Sequence, residues 1–494
     1  MSTVLVLLVT TIVAYLVHRY FKNKRFNDML KKLPSPPAAP IVKHVKHFRK
    51  LEGMMEMIGG FLDEYDGMVL LHPGPNINYF AVADHKLLEY LCTNTKNVIK
   101  SPRYKLFERW LGENGLFTAE GELWKKHRSL VTPAFHFQIL EQFVDTFNAV
   151  SAEFIDILQT QVNKEIDIYH YVNLCALDII SETAMGVSVN AQRDSVSKYV
   201  HCVQEMLRII AVRSFSPLKV HDWIFRLTSD YQKEEEAMRV LKGYTNSVIE
   251  RKQKALDNGE SRIVNQEKRR RLAYLDLLLE NRGVSITDED ISNSVEGFMF
   301  AGHDTTAIAM GCTLYLLATH PDVQQRAFEE LRDILGDDKN KVATYKDLQE
   351  MKYLEMVIKE ALRLFPPAPI ISKQILEDYE FNGYVLPKGL SILGMVHCIH
   401  RREKYFPNPN TFDPERFSPE NQSKILPFSY LPFGAGHRNC VGQKFAMHEM
   451  KIVVSSVLRN FELLPIDGFK MVLVPQIVHK PKNGIKVKLV ERKY

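Results

Sequence analysis

The sequence predicts a mostly α-helical protein with a small β-rich part, and three observations carry that expectation. Apolar residues recur every three or four positions across residues 141–254, the spacing of several packed helices. Residues 288–319 read as one long helix opened by an N-cap at Thr287. Met68 to Ala83 alternates apolar and polar residues, with Pro73, Gly74 and Pro75 as punctuation, and reads as a small sheet.

A chain of 494 residues exceeds the usual size of one compact core, so two domains or one composite domain fit equally well. A net charge of +5 over that length is too weak to argue for nucleic acid. The 6 cysteines form no C-x-x-C pair and read as reduced thiols. There is no internal repeat and no low-complexity tract.

In chain order, Val4 to Phe21 is almost wholly apolar and, at about 1.5 Å per helical residue, just crosses a hydrocarbon core. Basic residues follow it (Arg19, Lys22, Lys24, Arg25) and none precedes it. Residues 1–21 are therefore expected to be a retained membrane anchor with the rest of the chain on the cytosolic side. Residues 22–40 form a basic, proline-rich hinge ending in Pro34, Pro36, Pro37 and Pro40, and 41–494 is the main domain.

Trp124 and Arg128 lie one helical turn apart, so both can donate to one acidic group; Lys125 and Lys126 read as a solvated face. The run Ile209 to Val220, broken by Pro217, is either an entrance to a pocket or a turn between helices. Lys268 to Arg271 reads as an exposed linker. In the middle of the long helix stands Ala301-Gly302-His303-Asp304-Thr305-Thr306. Glycine there costs about 1 kcal/mol against alanine, so a specific reason for it is expected. Glu360 and Arg363 share a helical face, and Arg416 follows in Pro414-Glu415-Arg416-Phe417. Phe433 to Gly442 then places Cys440 in a glycine-bearing loop, before a helical pattern from Gln443 to Leu458. Backbone N–H groups, the helix N-terminus and Arg438 are expected to favour a thiolate at Cys440, a metal ligand's environment. Gly436 and Gly442, without a Cβ, would let the backbone approach a flat cofactor.

Phe433, Gly436, Arg438, Cys440 and Gly442 together make Phe-x-x-Gly-x-Arg-x-Cys-x-Gly, which resembles the haem-binding loop of the cytochromes P-450. The resemblance implies the P-450 fold, mostly helical with a sheet-rich part beside it. It implies haem b with Cys440 as proximal iron ligand, and Trp124 and Arg128 holding a propionate. Gly302 would make room beside the haem, and Thr305, helped by Asp304, would relay protons for oxygen activation. It assigns Glu360, Arg363 and Arg416 to a buried charged triad behind the haem loop. Residues 368–372 and 475–479 are candidates to line the pocket, and Lys373 stands where many members place a propionate-binding arginine. Lys125 and Lys126 fall on the surface where an electron donor docks.

Phe298-Met299-Phe300 before Gly302-His303-Asp304-Thr305-Thr306 also resembles the fatty-acid ω-hydroxylase branch. Many of its members carry a haem-linking glutamate where this chain has Ala301, so a non-covalently held haem is expected. The implied reaction inserts one atom of O2 into a C–H bond of a long-chain fatty acid or related lipid. No nucleotide-binding glycine fingerprint appears in the chain. Electrons are therefore expected from NADPH through a separate cytochrome P-450 reductase at the endoplasmic reticulum membrane, with cytochrome b5 a further candidate donor. A steroid- or xenobiotic-oxidising monooxygenase, a haem-thiolate isomerase that needs no reductase, and a haem sensor are the alternatives.

Overall fold

Two hydrophobic cores organise the computed structural model, which describes residues 21–494 apart from 22, 40–42, 49, 75–76, 97, 195–196, 259–272 and 285. The expected anchor and the basic run Lys268 to Arg271 lie outside the described residues, Phe21 excepted. Among those described, no helix is long and apolar enough to cross a membrane.

The smaller core sits on a five-stranded sheet of β1 (Met68–Gly74), β2 (Ile77–Val82), β3 (Val98–Lys100), β4 (Ile371–Ile375) and β5 (Ser391–Gly394), in the order β1-β2-β5-β4-β3. The alternating stretch read from the sequence is the antiparallel pair β1 and β2. Its interior partner β5 comes from far along the chain and runs parallel to β2.

The larger core is helical. The helices that position the site are α1 (Glu108–Leu111), α2 (Gly121–Val131), α3 (Phe137–Gln159), α4 (Ile168–Ile180), α5 (Ser197–Phe215), α6 (Ser229–Asp257), α7 (Asp288–Thr319), α8 (Lys352–Leu364) and α9 (Gln443–Asn460). α7 is the centre. Thr287 caps it by accepting from the Asp290 N–H at 3.1 Å, while Asp290 accepts from the Thr287 N–H at 3.0 Å, and both bonds satisfy amides with no partner inside the helix. Most of its residues are buried on every side, as a helix through the middle of a domain must be. A hairpin of β6 (Leu473–Pro475) and β7 (His479–Pro481) closes over it near the C-terminus.

Behind these elements lie histidines that must stay neutral. His400 Nε2 accepts from the Leu431 N–H at 2.8 Å, a role open only to an unprotonated nitrogen, while its Nδ1 faces the Arg363 carbonyl at 3.2 Å. Burial holds His400 and His479 down to about 3. A histidine whose folded pKa is depressed gives its full stability above the unfolded value near 6.5 and loses it as pH falls towards the folded value. Each of the two is expected to cost about 1.4 kcal/mol per pH unit below 6.5. Urea unfolding at pH 7.5, 6.5, 5.5 and 4.5 should therefore show a midpoint that is level at first and then falls; a level midpoint down to pH 4.5 would refute it.

Candidate active site

The loop that carries Cys440 is held by its own backbone. The Cys440 N–H donates to the Phe433 carbonyl at 2.9 Å, and Gly434 and Gly436 take left-handed φ of 67° and 68°. Gly436 serves protein packing, because a Cβ there would lie 2.0 Å from the Cys92 carbonyl oxygen; it is Gly442 whose open side faces Cys440 Sγ, at 3.9 Å. Cys440 is the exposed cysteine of the six, the other five being buried. Desolvation nevertheless raises its thiol pKa, against the opposing pull of the Gly442 N–H and Arg128. The expectation of a thiolate favoured by Arg438 is corrected on two counts: the resident cation is Arg128, and burial outweighs it until a metal supplies positive charge.

Arg128 and Trp124 do converge on this loop, by different contacts from those expected. Arg128 grips Asn439, donating to its carbonyl at 2.8 Å and to its Oδ1 at 3.0 Å. Trp124 stacks under Arg438, whose guanidinium lies 4.0 Å from the ring centroid. Arg438 itself donates to the Ala119 carbonyl at 2.9 Å and to Glu120 at 2.5 Å. Lys100 stands opposite Lys373 in the antiparallel pairing of β3 and β4. Like charges in that register repel. Burial and the nearby Arg438 bring Lys100 down to about 7, and burial lowers Lys373 as well. Lys100, Lys373 and Arg438 thus gather next to the cysteine loop, with Glu120 as the acid beside them. Lys100 was not singled out in the sequence, since a lone lysine in a three-residue strand gives no local signal.

A second open stretch lies on α7. Ala301 is exposed and Thr305, one turn on, is partly so, although their neighbours His303, Asp304 and Thr306 are buried. Thr305 donates to the Ala301 carbonyl at 2.7 Å and keeps its lone pairs free. Asp304 is not hydrogen-bonded to Thr305 among the described residues. It forms a buried ion pair with Lys480 on β7, whose ammonium also reaches the Tyr169 hydroxyl at 3.0 Å, beside a cavity of about 210 Å³ lined by Tyr169, Gln204 and Lys480. Gly302 likewise has another neighbour than expected: a Cβ there would meet Ile180 Cδ1 at 2.6 Å, so this glycine permits close packing of α4 on α7. Lys480 lies one residue beyond the stretch 475–479 that the sequence marked.

The charged residues behind the loop meet as expected. Arg363 bonds both oxygens of Glu360 at 2.7 Å, and Arg416 Nε lies 3.4 Å from the same carboxylate, all in the interior. The His479 N–H donates to the Pro367 carbonyl at 2.8 Å, one residue before the first of the two stretches 368–372 and 475–479.

A family model for the cytochromes P450 matches residues 33–489. The chain belongs to the cytochrome P450 family. It is similar to cytochrome P450 4c3 of Drosophila melanogaster, 37% identical over 99% of this chain and 95% of that one. It is also similar to cytochrome P450 4V2 of Homo sapiens, 37% identical over 98% and 94%, and to cytochrome P450 4d1 of Drosophila simulans, 36% identical over 96% of each.

As a cytochrome P450 the protein is a monooxygenase whose cofactor is haem bound through a cysteine thiolate. The residues present fit that group. One thiol, Cys440, is open; Ala301 and Thr305 are open on α7 without bulky side chains; and Lys100, Lys373 and Arg438 gather beside the cysteine loop, where two haem propionates would supply negative charge.

Proposed function

We propose that this P450 hydroxylates long-chain fatty acids or related lipids, with Cys440 as the iron ligand and electrons delivered from NADPH by a separate membrane-bound reductase, cytochrome b5 being a further donor. The observations that carry the reading are the one exposed cysteine, Cys440, in its glycine-bearing loop, and the open Ala301 and half-open Thr305 in the middle of the otherwise buried α7. Haem held by the Cys440 thiolate would supply the iron that activates O2, and a thiolate ligand would favour O–O cleavage. The chain does the rest. Arg128 fixes the loop through Asn439; Arg438, Lys100, Lys373 and Trp124 would hold the propionate edge; Thr305 Oγ1 hands on protons, and Lys480 holds Asp304 in place beside it.

The lipid assignment is supported by Phe298-Met299-Phe300 ahead of Gly302 and by relatives that all carry the family-4 designation. Ala301 offers no carboxylate to the haem edge, so the haem is held without a covalent link.

Membrane seating at the endoplasmic reticulum, with residues 1–21 as anchor, 22–40 as hinge and 41–494 facing the cytosol, accords with a second feature. Leu218, Trp223 and Leu227 are exposed together in the connection between α5 and α6, an apolar surface of the kind that rests on lipid.

The test is turnover by purified holoprotein with reductase and NADPH. Oxygen-dependent hydroxylation of fatty acids is expected, along with substrate-induced spectral shifts stronger for them than for a steroid or a small aromatic drug, and haem that separates from the chain on denaturation. Oxidation of the steroid but of no fatty acid would replace the lipid reading, and turnover of a lipid peroxide without reductase would replace the monooxygenase one.

A further inference from the structure

The buried carboxylate of Glu296 is absorbed by none of the roles above. It sits on α7, little more than one turn before Ala301, and accepts from the Trp110 indole N–H at 2.8 Å on one oxygen and from the Thr245 hydroxyl on the other. No cation bonds it among the described residues, and burial raises its pKa. One side chain thus joins α7 to α1, which carries Trp110, and to α6, which carries Thr245.

The segment held in this way touches both elements of the candidate site. Asn293, Glu296 and Phe300 form one stripe of α7, at i, i+3 and i+7. All three meet residues 107–120. Gly112 lies so close to the Asn293 amide that a Cβ there would be 2.0 Å from it; Glu296 bonds Trp110; Phe300 packs on Trp110 at 4.8 Å and on Phe117 at 6.4 Å between ring centroids. At its other end the same segment is gripped by Arg438, through the Ala119 carbonyl and Glu120. It therefore spans from the α7 wall to the cysteine loop. α1 is a single turn and cannot fix its own position. Outside, Arg109 pairs with Glu234 and Glu235 of α6; inside, the one side-chain hydrogen bond of Trp110 among the described residues is to Glu296.

We infer that Glu296 is a positioning residue that acts through Trp110, holding residues 107–120 as the side wall of the substrate chamber and so determining which carbon of the substrate is presented for oxidation. This deepens the lipid-monooxygenase reading and rests on it. A buried indole N–H that loses its acceptor stays unsatisfied or moves towards water, and the wall moves with it.

The test uses holoprotein of three variants: Trp110→Phe, which keeps the ring and removes the donor; Glu296→Leu; and Glu296→Gln, which keeps the acceptor and resembles a neutral acid. Amide hydrogen exchange in residues 107–120 should be about tenfold or more faster in Trp110→Phe and Glu296→Leu, the factor that loss of one buried hydrogen bond gives, and near the parent rate in Glu296→Gln. Fatty-acid hydroxylation should spread over more carbons in the first two and not in the third. The doubly changed Trp110→Phe/Glu296→Leu protein should be no worse than Glu296→Leu alone. Trp110→Phe with full haem content, parent-like exchange and an unchanged product distribution overturns the inference. If the parent oxidises no fatty acid, the substrate reading fails on its own. The inference is then decided by binding of a 1-alkylimidazole series, and an unchanged chain-length preference in Trp110→Phe overturns it.

Discussion

Cys440→Ser is expected to abolish the red-shifted Soret band of the reduced, carbon monoxide-treated protein, and with it all oxygen-dependent turnover. A serine hydroxyl does not ionise near neutral pH, so it cannot supply an anionic donor where the thiol, although raised by burial, can be deprotonated by a bound metal. The exchange is nearly isosteric. The backbone bond from residue 440 to the Phe433 carbonyl and the grip of Arg128 on Asn439 do not involve the side chain, so the loop should persist and the loss should be one of ligation. Cys92→Ser serves as control, because the Cys92 carbonyl packs against Gly436 and its thiol meets the Ala435 backbone, contacts that a serine can keep. A red-shifted band retained by Cys440→Ser, or lost by Cys92→Ser in a folded protein, would move the iron ligand elsewhere.

What the sequence disclosed divides along the range of the forces involved. α7 runs from Asp288 to Thr319 as expected, because its start is fixed within four residues by Thr287 and Asp290 and its end by His320-Pro321. The β1–β2 hairpin and the start of α9 were legible for the same local reason. Glu360 and Arg363 were legible as a pair, being one turn apart. Contacts chosen by the fold were not. Nothing near Trp110 announces a carboxylate at Glu296, nothing near Asp304 announces Lys480, and Lys100 becomes informative only when β4 sets Lys373 opposite it. Gly302 shows the limit well. A helix-interior glycine indicates that a Cβ is unwelcome, and a neighbouring helix excludes it as effectively as a cofactor would; the neighbour is Ile180. Arg438 was placed near the sulfur on sequence proximity, yet its long side chain turns to Glu120 and leaves Arg128 as the closer charge.

Arg363→Ala is expected to yield little or no folded, haem-containing protein, although Arg363 is remote from any chemistry. Its buried guanidinium bonds both Glu360 oxygens and the His400 carbonyl in the interior, and the less buried carbonyls of Pro409 and Thr411. Removing one partner of a buried pair costs about 3–5 kcal/mol through the charge left uncompensated. The buried His400 carbonyl, left without its donor, adds about 1–3 kcal/mol. The sum reaches the lower end of a typical protein's whole stability, about 5–15 kcal/mol. The damage would also be directed at the site. Arg363 positions His400, His400 accepts from the Leu431 N–H, and the Leu431 carbonyl accepts from the Gly434 N–H, which begins the turn into the cysteine loop. Arg363→Lys should recover little, because one ammonium cannot span Glu360 and three carbonyls at once. Replacing both partners, as in Glu360→Leu/Arg363→Met, removes the unpaired charge yet leaves the carbonyls bare, so it should remain well below the parent. Soluble yield, haem content per chain and the urea midpoint decide the matter. An Arg363→Ala protein with full haem and a parent-like midpoint would show that the loop is held from elsewhere. Recovery in the double variant would show that the charge pair, rather than the carbonyl tether, is what the fold requires.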